Sequence, residues 1–341
     1  MTSTEFGLDT FGGVTQDADG RPLEHPQVIR DLVDDAVLAD RLGLDFFGVG
    51  EHHRPDFAVS SPEMVLAAIA SRTQHIRLGS AVTVLSSDDP VRVFERFATL
   101  DAVSDGRAEI VAGRGSFIES FPLFGFDLEQ YEVLFEERLE LLAALLKEEP
   151  VTWSGTTRAA LNDQRVFPTT VDGIRAWVGV GGSPESVVRT ARHGFGLFLA
   201  IIGGPAARFA PYIELFEQAQ DEFGVDRQAV AVHSPGLVGE TDDQARQIVH
   251  DGWVAMRTRM GQERGWPPPA PGDFEREIET GSLYVGGPDT VARKIAETVK
   301  TLGLNRFDLK YDQAKVEHGR LTRSIELYGE QVVPMVKDML A

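Results

Sequence analysis

The 341-residue chain contains no cysteine. Disulfide frameworks, thiolate zinc sites, iron–sulfur clusters and cysteine nucleophiles are therefore all excluded. A chain without cysteine fits a reducing compartment, and residues 1–10 lack the basic and apolar segments of a secretory signal. We therefore expect a cytoplasmic protein.

Basic residues and long apolar runs are also scarce. The chain has 33 Lys and Arg residues against 53 Asp and Glu residues, which gives a formal net charge of −20. Such a charge disfavours binding to nucleic acid or to anionic lipid. The most apolar stretch, residues 195–202, is far shorter than the roughly 20 residues that cross a bilayer, so we expect no membrane partner. Apolar residues still make up 42% of the chain, enough for a buried core.

Short apolar segments bounded by glycine alternate with segments of helical periodicity along the whole chain. This alternation is typical of strand–helix units around a parallel sheet whose two faces are covered. Eight such units favour a closed (β/α)8 TIM barrel over an open doubly wound sheet. No linker divides the units, so we predict a single domain over residues 1–341. The predicted strands are residues 6–11, 45–50, 76–85, 108–113, 176–181, 196–202, 229–238 and 306–312.

Proline marks the start of several predicted helices. A proline at the first helical position costs no hydrogen bond, because that N–H has no partner inside the helix. Pro62, Pro90, Pro184 and Pro288 each stand at such a position. A further helix is predicted over residues 27–42, which place apolar side chains on one broad face.

Two long segments interrupt the repeats. Residues 116–130 contain four phenylalanines, and residues 261–282 contain four prolines. Insertions in a barrel usually form loops at the C-terminal, catalytic face, although a surface excursion without a role is an equal alternative. Because proline disfavours helices and central strands, we predict that residues 261–282 form a mobile lid, with Trp266 as an apolar contact on closure.

The second predicted strand runs directly into Glu51-His52-His53. Strand alternation places His52 on the same face as Gly48 and Gly50, which leave space beneath its ring. Barrel enzymes keep catalytic groups at this end of their strands. The other histidines are scattered and no HExxH motif occurs, so a metal site is disfavoured. A surface histidine pair without function is the open alternative.

Two glycine-rich turns are candidate anion sites. The fourth strand ends in Gly113-Arg114-Gly115, where a guanidinium fork and free N–H groups can approach a phosphate. The fifth unit contains Gly181-Gly182-Ser183-Pro184-Glu185-Ser186, which leads into a helix N-terminus that also favours phosphate. A tight turn in which Ser183 merely caps the helix explains the second motif equally well.

The same turn fails two other motifs. Pro184 stands at the third glycine position of G-x-G-x-x-G, and the following strand ends without an acidic residue for a ribose. The residues around Ser183 also lack the final glycine of G-x-S-x-G. A built-in nicotinamide site and a serine hydrolase are therefore disfavoured.

Taken in order, these motifs resemble those of the bacterial luciferase-like flavin monooxygenase family, over nearly the whole chain. Several motifs in one order are far more specific than any one alone. The segments that carry the resemblance are Glu51-His52-His53, residues 78–85, Asp89-Pro90-Val91-Arg92, residues 100–107, Gly113-Arg114-Gly115, Gly181-Gly182-Ser183 and residues 284–288.

The resemblance implies a (β/α)8 barrel that binds reduced FMN at its C-terminal face and uses it to activate O2 towards a small organic substrate. By position in the motifs, Arg114, Ser183 and Ser186 would bind the FMN phosphate, with Gly182 in the same turn. His52 would be the catalytic histidine near the flavin ring, giving or taking a proton.

The end of the third strand, at Ala81 and Val82, matches the place where this family often has a non-prolyl cis peptide that supports the flavin. One departure concerns light emission. Luciferases that emit light have a reactive cysteine directly before the phosphate-binding arginine, where this chain has Gly113. Light emission is therefore not assumed.

Two other functions remain open on the same barrel. One branch of the superfamily uses a deazaflavin and transfers hydride without oxygen, although Glu51-His52-His53 is more similar to the FMN branch. A non-catalytic flavin-binding accessory protein is the second alternative. Because the chain lacks a nicotinamide fingerprint, we predict a two-component system with a separate flavin reductase. The resemblance also implies a homodimer that pairs through helices near the second and third units.

Overall fold

The computed structural model describes residues 4–115, 117–265, 267–313 and 315–341. Its central feature is a closed barrel of parallel strands, as the alternating pattern predicts. The barrel closes in the order β1, β2, β3, β5, β8, β9, β10 and β12, with β12 paired back to β1. The strands are β1 (Glu5–Thr10), β2 (Phe46–Val49), β3 (Arg77–Ser80), β4 (Thr83–Val84), β5 (Ala108–Gly113), β6 (Val151–Trp153), β7 (Leu161–Gln164), β8 (Arg175–Val180), β9 (Gly196–Ala200), β10 (Val230–Val238), β11 (Tyr284–Gly286) and β12 (Arg306–Lys310).

All eight predicted strands occur, and together they confirm the (β/α)8 barrel. The third predicted strand is divided in two, because Ala81 and Val82 separate β3 from β4. Three short strands were not predicted. Strands β6 and β7 form an antiparallel hairpin apart from the barrel, and β11 extends the pairing at the end of β10.

Helices surround the barrel. Pro62, Pro90, Pro184 and Pro288 each begin a helix, as predicted. The helix predicted over residues 27–42 spans 25–41. The α-helices are α1 (His25–Arg41), α2 (Pro62–Ala70), α3 (Pro90–Ser104), α4 (Ser120–Phe124), α5 (Tyr131–Leu145), α6 (Pro184–Arg192), α7 (Ala210–Phe223), α8 (Asp242–Arg264), α9 (Asp273–Glu279), α10 (Pro288–Leu302), α11 (His318–Leu327) and α12 (Val333–Leu340).

The second insertion departs from expectation. Residues 261–264 are the last turn of α8, and residues 273–279 form α9, so the prediction that this segment avoids helix is wrong. The prolines are confined to residues 267–271, which leaves the flanking sequence free to form helix. Trp266, the proposed apolar contact, lies outside the described residues. In the first insertion, α4 and a short helical turn at residues 128–130 interrupt the irregular backbone.

A buried charged network occupies the amino-terminal half of the barrel interior. Glu109 accepts hydrogen bonds from Arg306 Nη1 at 2.7 Å, Trp177 Nε1 at 2.9 Å and Arg77 Nε at 2.5 Å. Burial acts to raise the pKa of Glu109, but the charges of Arg306, Arg175 and Arg77 outweigh it and lower the pKa to about 2. Paired charged side chains therefore fill this half of the barrel interior.

A groove of about 620 Å³ lies at the same amino-terminal end, beside Glu5 and Arg175. It is thus on the side opposite to the predicted site. Within the described residues, no helix is both long and apolar enough to cross a membrane.

Candidate active site

The segment between β3 and β4 enters the barrel interior at its carboxyl-terminal end. The peptide bond between Ala81 and Val82 is cis, as the resemblance implied. Glycines make room for the Ala81 side of this segment. A Cβ atom at Gly48 would lie 3.0 Å from Ala81 Cβ, and one at Gly50 would lie 2.9 Å from the Ala81 carbonyl oxygen. Gly48 and Gly50 therefore accommodate the segment around Ala81.

Val82 is accommodated in the same way. A Cβ atom at Gly113 would lie 2.5 Å from Val82 Cγ2, and one at Gly179 would lie 3.0 Å from Val82 Cγ1. Gly113 is the position at which the resemblance implies a cysteine in light-emitting luciferases. In this chain the Val82 side chain fills that space.

His52 lies in an aromatic cluster at the mouth of the barrel. Only 9% of the residue is exposed, which contradicts the alternative of a surface histidine pair. Its ring stacks on Phe57 at 4.2 Å between centroids and meets Phe11 and Phe117 edge-on at 5.1 and 5.3 Å. Its Nδ1 lies 3.7 Å from a carboxylate oxygen of Glu119.

Glu119 gives this cluster its charge. Burial acts to raise the pKa of Glu119, but its interaction with His52 and hydrogen bonds from nearby backbone lower it. Glu119 belongs to the first insertion, which therefore reaches over the barrel mouth. A histidine next to a carboxylate, with apolar rings on its other sides, is suited to hold or transfer one proton away from bulk water.

Glu51 and His53, the neighbours of His52 in the motif, pair with each other rather than with His52. His53 Nε2 lies 2.9 Å from Glu51 Oε1, and Glu51 Oε2 accepts a hydrogen bond from the Val84 backbone N–H at 2.9 Å. Glu51 Oε2 thus joins the end of β2 to β4, while Oε1 is occupied by His53 in the same segment as Glu51. The three consecutive residues do not form one catalytic group.

The predicted phosphate residues lie at the amino terminus of α6. Ser183 caps this helix, because its Oγ accepts a hydrogen bond from the Ser186 N–H at 3.3 Å. The capping interpretation is therefore correct, and it does not exclude an anion. Ser186 is 3% exposed, and its Oγ has no hydrogen-bond partner among the described residues. Gly182 precedes the cap with φ +113°, a conformation that favours glycine.

Arg114 lies close to this helix and shares a carboxylate with it. Arg114 Nη1 donates to Glu132 at 2.6 Å, and Arg189 Nη2 of α6 donates to the other oxygen of Glu132 at 3.1 Å. The pKa of Glu185 is lowered, first by the hydrogen bond from Ser183 and further by the charges of Arg114 and Arg189. The structure thus brings Arg114, Ser183 and Ser186 together near the amino terminus of α6, where the charges of Arg114 and Arg189 act on Glu132 and Glu185.

Two interior residues were missed by sequence reasoning. His233 Nδ1 lies 2.6 Å from Asp9 Oδ2, and the two residues are 3% and 0% exposed. Phe11 stacks on the His233 ring with centroids 5.5 Å apart. A charged residue inside the apolar strand 6–11 was an available signal, because strand alternation places Asp9 and Phe11 on the same face.

The last turns of α8 are tied to the loop that follows β2. Arg54 Nη2 donates to Glu263 at 2.7 Å, and Arg259 Nη2 donates to Asp56 at 2.5 Å. Arg54 also lies 4.4 Å from the centroid of the Phe117 ring, which contacts His52. We call Arg54, Asp56, Arg259 and Glu263 the mouth latch. It places the start of the predicted lid beside the aromatic cluster.

Within the described ranges, no group of three or more His, Cys, Asp or Glu side chains is arranged to hold a metal ion.

Comparison with known proteins identifies the family of this chain. Residues 9–306 match the family described as luciferase-like monooxygenase. The limonene 1,2-monooxygenase of Rhodococcus erythropolis is 29% identical over 86% of this chain and 78% of its own. The N-acetyl-S-alkylcysteine monooxygenase of Bacillus subtilis is 30% identical over 80% of this chain and 83% of its own.

Solved structures share the fold. Monooxygenase RslO1 from Streptomyces bottropensis has a TM-score of 0.82 at 24% identity, covering 97% of this chain and 99% of its own. The oxygenating constituent of 3,6-diketocamphane monooxygenase from Pseudomonas putida, solved with FMN, has a TM-score of 0.79 at 20% identity, with 98% and 99% coverage. An F420-dependent secondary alcohol dehydrogenase has a TM-score of 0.74 at 18% identity, again with 98% and 99% coverage.

The family match covers most of the chain, and the barrel, the cis peptide and the order of the motifs agree with it. The chain belongs to the luciferase-like monooxygenase family, whose members are flavin-dependent monooxygenases and oxidoreductases.

Proposed function

We propose that this protein is an FMN-dependent monooxygenase that acts on a small organic substrate. The observation that carries the proposal is the amino-terminal part of α6, where the buried Ser186 Oγ has no partner among the described residues and Arg114 and Arg189 converge on one carboxylate. Unpaired donors at a helix N-terminus fit a phosphate group. The FMN phosphate would be held by Arg114, Ser183 and Ser186, with Gly182 allowing close approach of the backbone.

The remaining residues would orient the ring and control protons. Ala81 and Val82 would support the flavin ring from inside the barrel. Bound reduced FMN supplies the electrons that activate O2. His52 would hold or move a proton at its imidazole nitrogens, with Glu119 fixing its orientation. Phe11, Phe57 and Phe117 would exclude water around it.

Electrons are proposed to arrive as reduced FMN made by a separate flavin reductase. The chain lacks a dinucleotide fingerprint, and the similar Pseudomonas structure is described as an oxygenating constituent. Purified protein mixed with FMN and NADH or NADPH is therefore expected to leave the nicotinamide absorbance unchanged. Rapid stoichiometric oxidation of the nicotinamide by this chain alone would refute the two-component proposal.

The phosphate site provides the direct test of FMN binding. Replacing Arg114 with alanine removes a charge-assisted contact worth roughly 1.5–3 kcal/mol, so FMN affinity should fall about ten- to a hundredfold. Riboflavin, which lacks the phosphate, should bind with unchanged affinity. Arg192→Ala, at the other end of α6, is the matched control. Equal losses for FMN and riboflavin would make Arg114 a structural residue.

A deazaflavin is the second candidate cofactor, because an F420-dependent dehydrogenase has the same fold. Titration with FMN, reduced FMN and a deazaflavin separates the two. Preference for the deazaflavin would overturn the FMN proposal, and tight flavin binding without any turnover would favour an accessory protein.

The proposed organisation is a single domain that forms a homodimer in the cytoplasm. The dimer is expected from the family resemblance and would pair through helices near the second and third units. Sedimentation of the full chain tests it, and a monomer at micromolar concentration would contradict it.

A further inference from the structure

Glu132 occupies a position that an anionic ligand would take. It lies in the first turn of α5, and each of its two carboxylate oxygens accepts a hydrogen bond from a different arginine. Arg114 donates at 2.6 Å and Arg189 at 3.1 Å. These arginines come from two different strand–helix units, so the carboxylate is a bridge between them.

Two buried donors near this bridge have no partner in the described part of the chain. Arg189 Nη1 is buried and has no partner within the described residues, and the same holds for Ser186 Oγ one helical turn earlier. Since Ser186 and Arg189 are three residues apart on α6, they lie on the same face of the helix. A single carboxylate leaves both groups unsatisfied. A group with three acceptor oxygens can bond to more of them.

The side chain of Glu132 can also move away from the two arginines. Its side chain is 63% exposed, whereas that of Arg189 is 12% exposed. Ion pairs with one exposed partner contribute little, because water replaces the lost contact readily. Arg189 keeps a second partner in Glu136, so it stays in place when Glu132 moves.

We propose that Glu132 is an internal anion that occupies the phosphate-binding position until the phosphate of the ligand displaces it. This inference depends on the proposed function, in which that region binds the FMN phosphate. A phosphate monoester carries more negative charge than a carboxylate at neutral pH, so it wins the exchange. Glu132 thereby lowers the affinity for phosphate-bearing ligands and keeps the bound ligand exchangeable, as a protein that receives its flavin from a partner requires.

The test compares Glu132→Gln with Glu129→Gln, a nearby exposed glutamate whose side chain has no partner in the described part of the chain. Removing the competing charge should raise the affinity for FMN by about two- to tenfold, the range expected for loss of a weak ion pair plus repulsion of the phosphate. Riboflavin affinity should be unchanged in both variants. The Glu129→Gln protein should bind FMN as the unmodified protein does.

A second measurement separates failure of this inference from failure of the proposed function. Inorganic phosphate alone, titrated by calorimetry, should bind more tightly to the Glu132→Gln protein than to the unmodified protein, whether or not flavin is the ligand. Unchanged or weaker binding of both FMN and phosphate would overturn the inference and leave FMN binding by Arg114 intact. Tighter phosphate binding without any flavin binding would support Glu132 as an internal anion and refute the proposed cofactor. Circular dichroism checks that the variants are folded.

Discussion

His233 Nδ1 lies 2.6 Å from Asp9 Oδ2 inside the barrel, directly beneath the aromatic cluster of the mouth. Phe11 connects this pair to the candidate active site, because its ring stacks on His233 and meets His52 edge-on. Two histidines therefore lie on either side of one phenylalanine. The lower one is held by a carboxylate, which fixes its ring orientation and places the other ring nitrogen away from Asp9.

The first prediction concerns the strength of this buried pair. A charge-assisted hydrogen bond contributes roughly 1.5–3 kcal/mol, so Asp9→Asn should lower the free energy of unfolding by about that amount. In a double-mutant cycle with His233→Gln, the two effects should be coupled by more than about 0.5 kcal/mol. Urea unfolding at pH 7 provides the measurement.

The exposed pair His250 and Asp251, 2.9 Å apart, is the control for the buried one. Asp251→Asn should change the free energy of unfolding by less than about 1 kcal/mol. Additive effects of Asp9→Asn and His233→Gln would show that the two residues are stabilised independently.

The second prediction concerns His52. If it moves a proton, His52→Ala should reduce turnover by roughly 10²–10⁴ while FMN affinity changes little. Oxidation of reduced FMN in aerated buffer, followed by absorbance, gives the rate, and fluorescence titration gives the affinity. His250→Ala, an exposed histidine on α8, should have neither effect. A His52 variant with normal flavin binding and normal rate would leave this histidine without a catalytic role.

The third prediction concerns the mouth latch. Glu263→Gln removes the α8 partner of Arg54, whose guanidinium lies over the Phe117 ring. Since such partly exposed pairs contribute up to about 1 kcal/mol, amide exchange in the last turns of α8 should become about two- to fivefold faster. Raising the salt concentration should have the same effect on the unmodified protein.

Glu222→Gln, an exposed change on α7, should leave the exchange of α8 unchanged. The related expectation is that flavin and substrate protect residues 261–282 from proteolysis. Nicking that is indifferent to both ligands would contradict a lid.

The fourth prediction concerns the charged network at the other end of the barrel. Glu109 is fully buried and accepts from Arg306, so Glu109→Gln should cost about 3–5 kcal/mol at pH 7 by removing the buried carboxylate charge that faces Arg306. The pKa of Glu109 in the folded state is about 2, below its usual 4.5. Its ionised form therefore stabilises the fold above pH 4.5, and this contribution is lost as the pH falls towards 2.

The difference in stability between the unmodified and Glu109→Gln proteins should accordingly be constant above about pH 5 and shrink below it. Denaturant unfolding at several pH values measures it. A difference that stays the same down to pH 3 would show that the carboxylate charge is not what holds the network.

The barrel was predictable from the sequence because its signals are local. Apolar runs bounded by glycine mark the strands, and prolines such as Pro90 and Pro184 mark the helix starts. The resemblance also led to the cis bond at Ala81. The prediction that residues 261–282 avoid helix is wrong, because proline disfavours helix only at its own position and at the residues next to it.

The pairing of side chains was not predictable in the same way. His233 and Asp9 are more than two hundred residues apart, and only closure of the barrel across β12 brings them together. Glu132 looked like an ordinary surface glutamate on a helix. Its position between two arginines depends on how α5 and α6 pack, and the hydrophobic periodicity of the sequence does not predict that packing.

The close packing of Val82 against Gly113 also limits which substitutions the two positions can accept together. A side chain at Gly113 would begin 2.5 Å from Val82 Cγ2, so a cysteine there has no room while valine is present. A smaller residue at position 82 must come first. The two positions are thus sterically coupled: a side chain at position 113 and a valine at position 82 compete for the same volume.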